Sequence, residues 1–218
     1  VGKRYELFPA LLLIMLFACC AVTYAKDLKP TKLPDPQTEG GKPLMQVFSE
    51  RKSMREFSSR ELPSQVISDM LWAACGINRP DSGKRTAPTS RNMQEIDIYV
   101  VMPDGTYLYD AKDNMLIPVA DGDLRDATGG QPFVKDAPVN LVFVADLAKM
   151  KGLPADAVDF YSATDTGFVS ENVYLYCASA GLATVVRGWV DKPALAKAMK
   201  LRDDQRIILS QTVGYPGK

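Results

Sequence analysis

Apolar positions along the chain repeat with two different periods. Leu44, Val47 and Phe48 follow Pro43 at the spacing of one helix face, with proline tolerated in the first turn. Val66, Ile67, Met70, Leu71 and Ala74 form a second stripe between Pro63 and Cys75, closed by Gly76. Trp72 follows that stripe and is expected in the core. Phe168, Val169, Val173, Tyr176, Cys177 and Ala180 keep helical spacing up to Gly181, with Asp165 as the expected cap. A short helix is predicted over Pro193–Met199.

Between these lie β-branched and aromatic runs. Ile96–Met102 reads as a strand, and Pro103-Asp104-Gly105 turns it into a partner around Thr106–Tyr109. Tyr107, Tyr109 and Asp110 are expected on the hairpin surface, and Met115–Val119 as a third strand. Val139–Ala145 is continuously apolar, as in a central strand covered on both faces. Thr184–Arg187 and Arg206–Val213 complete the extended segments. Helices and hairpin-joined strands mix without a strict βαβ rhythm. That predicts an α+β fold with a central, mainly antiparallel sheet flanked by helices. No Gly-x-Gly-x-x-Gly follows a strand, so a Rossmann site is not indicated.

The amino-terminal part breaks both rhythms. Lys3 and Arg4 precede an apolar core, Leu7–Ala18, interrupted by Pro9, and Thr23-Tyr24-Ala25 offers a cleavage site before Lys26. Residues 1–25 therefore read as a signal peptide for export to the periplasm or envelope. The run is short for a membrane span, although a retained anchor is the competing reading. Leu16-Phe17-Ala18-Cys19 weakly resembles a bacterial lipoprotein box, with lipidation at Cys19 as the alternative fate. Residues 26–42, rich in Lys, Pro, Asp and Gly, read as a flexible linker with no core of its own, leaving 43–218 as the folded domain.

Charge and composition narrow the function. The 218 residues carry 26 basic and 26 acidic side chains, and this balance argues against a nucleic-acid partner. With no histidine, Ser-His-Asp and Cys-His catalysis and most zinc sites fall away. Cys75 and Cys177 lie on apolar helix faces and are expected as small buried hydrophobes, although an oxidising compartment permits a disulfide. Asp121, Asp123 and Asp126 match calcium ligands only loosely, and charge at a helix start explains them better.

Two stretches remain that suit a ligand. Arg51-Lys52-Ser53-Met54-Arg55 packs three cations and a hydroxyl just past the first helix, a donor set suited to phosphate; taken alone, a solvated surface run explains it better. Pro88-Thr89-Ser90-Arg91-Asn92-Met93-Gln94 is a loop of hydroxyls and amides leading into a strand. Together they suit a flat, hydrogen-bonding ligand that carries a phosphate, and flavin mononucleotide (FMN) is the best candidate.

In order and spacing, these stretches resemble the nitroreductase-like FMN flavoproteins. The resemblance rests on Glu50–Phe57, on Pro88–Gln94 before the strand Ile96–Val101, on Asp136-Ala137-Pro138, on Asn172–Gly188, and on Val213-Gly214-Tyr215-Pro216. It implies an interlocked homodimer with two FMN sites at its interface. Arg51, Lys52 and Ser53 would hold the phosphate and ribityl chain, and Arg55 would lie near N1 and the C2 carbonyl of the ring. Pro88, Thr89, Ser90 and Asn92 would reach the flavin of the other subunit. Val186, Arg187 and Gly188 would pass along the ring edge, and Lys218 would take the place of a longer basic terminus. The implied activity is transfer of hydride from NAD(P)H or another donor, through flavin N5, to a nitroaromatic, quinone or similar acceptor. The alternatives are a non-catalytic FMN-storage module and a relative oxidising a different substrate.

Overall fold

The computed structural model describes Gly2 and residues 28–217. The expected signal peptide, the alternative at Cys19 and the terminal Lys218 lie outside the described residues. Among the described residues no helix is long and apolar enough to cross a membrane.

In chain order the elements are β1 (Thr31–Lys32), α1 (Leu44–Glu50), α2 (Ser64–Cys75), β2 (Ile77–Arg79), β3 (Lys84–Arg85), β4 (Ile96–Met102), β5 (Gly105–Asp110), β6 (Met115–Asp121), β7 (Val139–Asp146), α3 (Ala155–Ala180), β8 (Ala183–Arg187), α4 (Lys192–Ala198) and β9 (Gln205–Gly214). Seven strands form one sheet in the order β1-β6-β5-β4-β7-β9-β8. Every pairing in it is antiparallel. This is the α+β architecture that the alternation of hairpins and helices implies.

The sheet is covered on both sides, which explains why β7 is buried at every position. On one face α2 and α3 pack against Ile98, Val100, Leu141 and Phe143. On the other, Tyr99, Val101, Val142 and Val144 meet Leu195 and Met199 around α4. Successive side chains on a strand point to opposite faces, so both odd and even positions of β4 and β7 must be apolar.

Four expectations need correction. The 26–42 segment was expected to be a tether, but residues 28–42 are strapped to the domain. Thr31 and Lys32 pair with Leu116 and Met115, Leu33 is buried, and Asn114 Nδ2 donates to the carbonyl of Pro34 at 2.8 Å. Most of these contacts use backbone groups, which a pattern of side chains does not reveal. Tyr107 and Tyr109 are buried rather than on the hairpin surface, with their hydroxyls directed to Asp104 and Asn114. The long helix begins at Ala155, after Pro154, so Asp165 is not a cap but an interior residue of α3. Finally, α1 buries only Val47, while Leu44, Met45 and Phe48 are 61%, 75% and 50% exposed. Trp72 is half-buried, at the margin of the core, and donates from Nε1 to the Ile77 carbonyl.

Cys75 and Cys177 are both free and buried, and burial pushes both thiols up, which makes them unreactive packing residues. Asp123 accepts from the Arg125 backbone and guanidinium, and no group of ligands able to hold a metal ion occurs among the described residues.

Candidate functional site

The basic stretch 51–55 leaves α1 extended and runs beside the start of β8, where Met54 N donates to the Thr184 carbonyl at 2.9 Å. Its continuation pairs with the carboxyl-terminal end of the chain. Phe57 bridges Pro216, Ser58 N donates to Tyr215 O, and Gly217 N donates to Glu56 O. Sequence-distant pieces, 51–58, 184–188 and 215–217, are thereby drawn to one edge of the sheet.

A residue that the sequence reading missed ties them together. The Tyr174 hydroxyl, on α3, accepts from Val186 N at 2.9 Å and lies 2.8 Å from Ser53 Oγ. The Arg51 guanidinium carbon sits 5.4 Å from the Tyr174 ring centroid, in cation–π range. One buried phenol thus fixes three predicted residues, Arg51, Ser53 and Val186. Only its position on the helix would have identified it, one step off the apolar stripe at Val173 and Cys177.

Beside Tyr174 opens a cleft of about 490 Å³, walled by Lys42, Lys52, Met54, Thr184 and Pro216. Of the predicted residues, only Lys52 lines it. Lys42, also missed, is paired with Glu50 at 2.6 Å and depresses that carboxyl through its hydrogen bond. Among the described residues, Arg51, Lys52 and Arg55 have no carboxylate partner. Three cations left unneutralised on one extended stretch are a donor set that fits a dianionic phosphate.

The second predicted stretch lies elsewhere on the molecule. Asn92 N donates to Thr89 O, Met93 N to Ser90 O, and Gln94 N to Thr89 Oγ1, each at 3.0 Å. The loop is strained, since Arg91, Asn92 and Gln94 all have positive φ, at 50°, 56° and 52°. Gln94 compensates by accepting from Arg85 Nε and donating to Gly83 O. Ser90 N donates to Asp165 Oδ2 at 2.8 Å. Pro88 and Asn92 are exposed, and Thr89 and Ser90 half-buried.

Asp165 and Tyr174 therefore anchor the two stretches on the same helix, nine residues apart. At about 1.5 Å and about 100° per residue, the anchors are separated by about 13 Å and project to opposite sides of α3. None of residues 88–94 lines the cleft beside Tyr174.

At the end of β8 the side chain of Arg187 is turned inward. Only 5% exposed, it points into the sheet, with Nη1 donating to Thr128 O at 2.7 Å and Nη2 to Asn140 Oδ1 at 2.9 Å. Among the described residues no carboxylate pairs with it, and burial pulls its pKa down to about 10. Gly188 and Trp189, by contrast, are exposed, and the indole lies over Gly130, whose N–H donates to Trp189 O at 3.2 Å.

Comparison with known proteins places the chain in a family. The family model described as the nitroreductase family matches residues 48–215. MJ1384 of Methanocaldococcus jannaschii, assigned as a nitroreductase, is 28% identical over 176 residues, covering 76% of this chain and 88% of that protein. An iodotyrosine dehalogenase 1 homolog of Caenorhabditis elegans is 24% identical over 188 residues, covering 78% of this chain and 55% of that protein. The crystal structure of a protein from Ralstonia eutropha JMP134, also assigned as a nitroreductase, superposes with a TM-score of 0.84 at 44% identity, covering 88% of this chain and 91% of that one. The chain belongs to the nitroreductase family, a family of flavin-dependent oxidoreductases.

Proposed function

We propose that this chain is an FMN-dependent oxidoreductase that works as a homodimer, takes electrons from NAD(P)H and delivers them to a nitroaromatic, a quinone or a similar small acceptor. The observation that carries the proposal is the Ser53–Tyr174–Val186 junction, which sets three unpaired cations alongside β8. In this reading Arg51, Lys52 and Ser53 hold the phosphate, Arg55 places positive charge near the pyrimidine edge of the ring, and the backbone of Val186–Gly188 borders the ring. The bound flavin would supply the two-electron chemistry, and the protein would supply position and charge.

Two observations support a two-chain site. The stretches 51–55 and 88–94 are anchored on opposite sides of α3, so completing one site requires the loop of another copy. In addition, α1 and α3 expose Leu44, Met45, Phe48, Phe160 and Phe168, large apolar side chains that a second copy would cover. Dilution or interface substitutions that dissociate the dimer are therefore expected to release FMN, followed by light scattering and flavin fluorescence on one sample. Monomers that keep their flavin would refute the shared site.

The electron donor is tested by anaerobic stopped-flow mixing of the flavin-loaded protein with NADH or NADPH. The visible flavin band should bleach and then recover on addition of a quinone. Bound FMN whose spectrum does not change with either nicotinamide would favour storage over turnover, and colourless protein that refuses added FMN would end the flavin reading.

A further inference from the structure

Glu95, the residue directly after the 88–94 loop, is fully buried, and among the described residues its carboxyl oxygens find no side-chain donor, only the residue's own backbone N–H. The group it faces is Asp165, itself only 2% exposed and already engaged by the Ser90 N–H. Two ionised carboxylates cannot hydrogen-bond to each other, and burying both charges together is costly. A single proton removes the conflict, because a protonated Glu95 can donate O–H to one oxygen of Asp165 while Asp165 Oδ2 keeps the Ser90 N–H.

We propose that Glu95 and Asp165 share one proton and together act as positioning residues that latch the strained 88–94 loop onto α3. Loss of the proton to solvent breaks only the Glu95 O–H bond. It leaves two negative charges in contact beneath a loop in which three non-glycine residues already hold positive φ. Burial, and after it Asp165, raise the Glu95 pKa to about 7 from an ordinary 4.5, so the latch opens near neutral pH.

The surrounding charges do not remove the conflict. Lys149 is the cation that favours ionised Glu95, but its ammonium is committed to Asp97 Oδ1 at 2.8 Å and Gln94 O at 3.2 Å, with Asp146 at 4.0 Å. Arg85 is committed to Gln94 and the Cys75 carbonyl, and the Arg91 side chain is exposed. The sign follows from linkage. A carboxyl whose folded pKa is raised adds stability that is fully present below pH 4.5 and is lost as pH rises through about 7.

The latch stands on the burial of both carboxyl groups and the Ser90–Asp165 bond, with the raised Glu95 pKa setting where it opens; its effect on cofactor binding rests on the two-chain FMN site proposed above. The test is hydrogen–deuterium exchange of the full chain, comparing the segment 88–95 between pH 5.5 and 8.5 after correction for intrinsic exchange. Protection in the parent protein should fall about tenfold or more across neutrality. In Glu95→Gln the amide donates to Asp165 at every pH, and the step should vanish. In Asp165→Asn the carboxylate partner is gone, and the step should move to lower pH. PH-independent protection in the parent, or an unchanged step in either variant, would overturn the latch. Flavin retention measured on the same samples separates the two ideas: a loop that steps while FMN stays bound keeps the latch and sinks the cross-subunit contact.

Discussion

Gly129→Ala should be among the most damaging single substitutions in the domain, although it adds one methyl group to a turn. The new Cβ would stand 1.8 Å from Arg187 Nη1 and 2.9 Å from Gln131 Oε1. The backbone is not the obstacle, since φ at Gly129 is 174°, ordinary extended geometry. The obstacle is space occupied by a guanidinium that cannot move cheaply. Its donors are committed to Thr128 O and Asn140 Oδ1, and Asn140 is held in turn by Thr212 Oγ1 at 2.6 Å and by Val134 O at 2.7 Å. Displacing the guanidinium would strand a buried cation that already lacks a carboxylate. Overpacking and a lost charge-assisted bond together suggest a cost of about 3–5 kcal/mol, or roughly 10 °C in Tm for a domain of this size. Thermal unfolding of the variant checks this. If the clash is with Arg187, adding Arg187→Met should recover part of the loss, with a coupling of about 1–3 kcal/mol. A single variant that melts with the parent would show that the turn yields freely.

This cluster also marks where sequence reasoning stops. Elements whose burial is complete or strictly periodic can be read from the chain. The continuous apolar run of β7, the stripe of α2 closed by Gly76, and the β4–β5 turn at Pro103–Gly105 all lie where their patterns place them. Elements held by backbone or by polar burial cannot be read this way. The first turns of α3 carry no apolar stripe, so an acidic residue before Phe168 and Val169 looked like a helix start, although Asp165 is the buried anchor of a distant loop. Tyr107 and Tyr109 sit beside polar turn residues and read as surface, but the 28–42 strap and α2 close over that end of the sheet. At the site, the three cations are visible because charge type and spacing carry the signal. Tyr174 and Glu95 are not visible, because their roles depend on which way a helix and a loop end are turned. Arg187 was visible as a residue but not in its direction, since one strand position decides whether a side chain points into the sheet or out of it.

On the FMN site proposed above, Arg51→Ala should weaken FMN binding by about 10- to 100-fold, because a charge-assisted phosphate contact contributes about 1.5–3 kcal/mol. Stability should hardly change, since the side chain is half-exposed and, among the described residues, rests only on the Tyr174 ring. Arg51→Lys should fall between the two: the charge survives, but the planar fork that can grip two phosphate oxygens is lost. Arg60→Ala is the control for general electrostatics. Arg60 makes the same kind of contact, 4.2 Å from the Tyr215 ring centroid, but lies beyond the 51–55 stretch, and its loss should leave affinity unchanged. The measurement is a fluorescence titration of flavin-free protein with FMN at two salt concentrations. The gap between parent and Arg51→Ala should narrow as salt rises, because screening acts on the contact that the variant lacks. Equal weakening in Arg51→Ala and Arg60→Ala would reduce the basic stretch to a diffuse positive surface. Affinity in Arg51→Ala within a factor of about two of the parent, less than about 0.5 kcal/mol, would remove residue 51 from the phosphate site altogether.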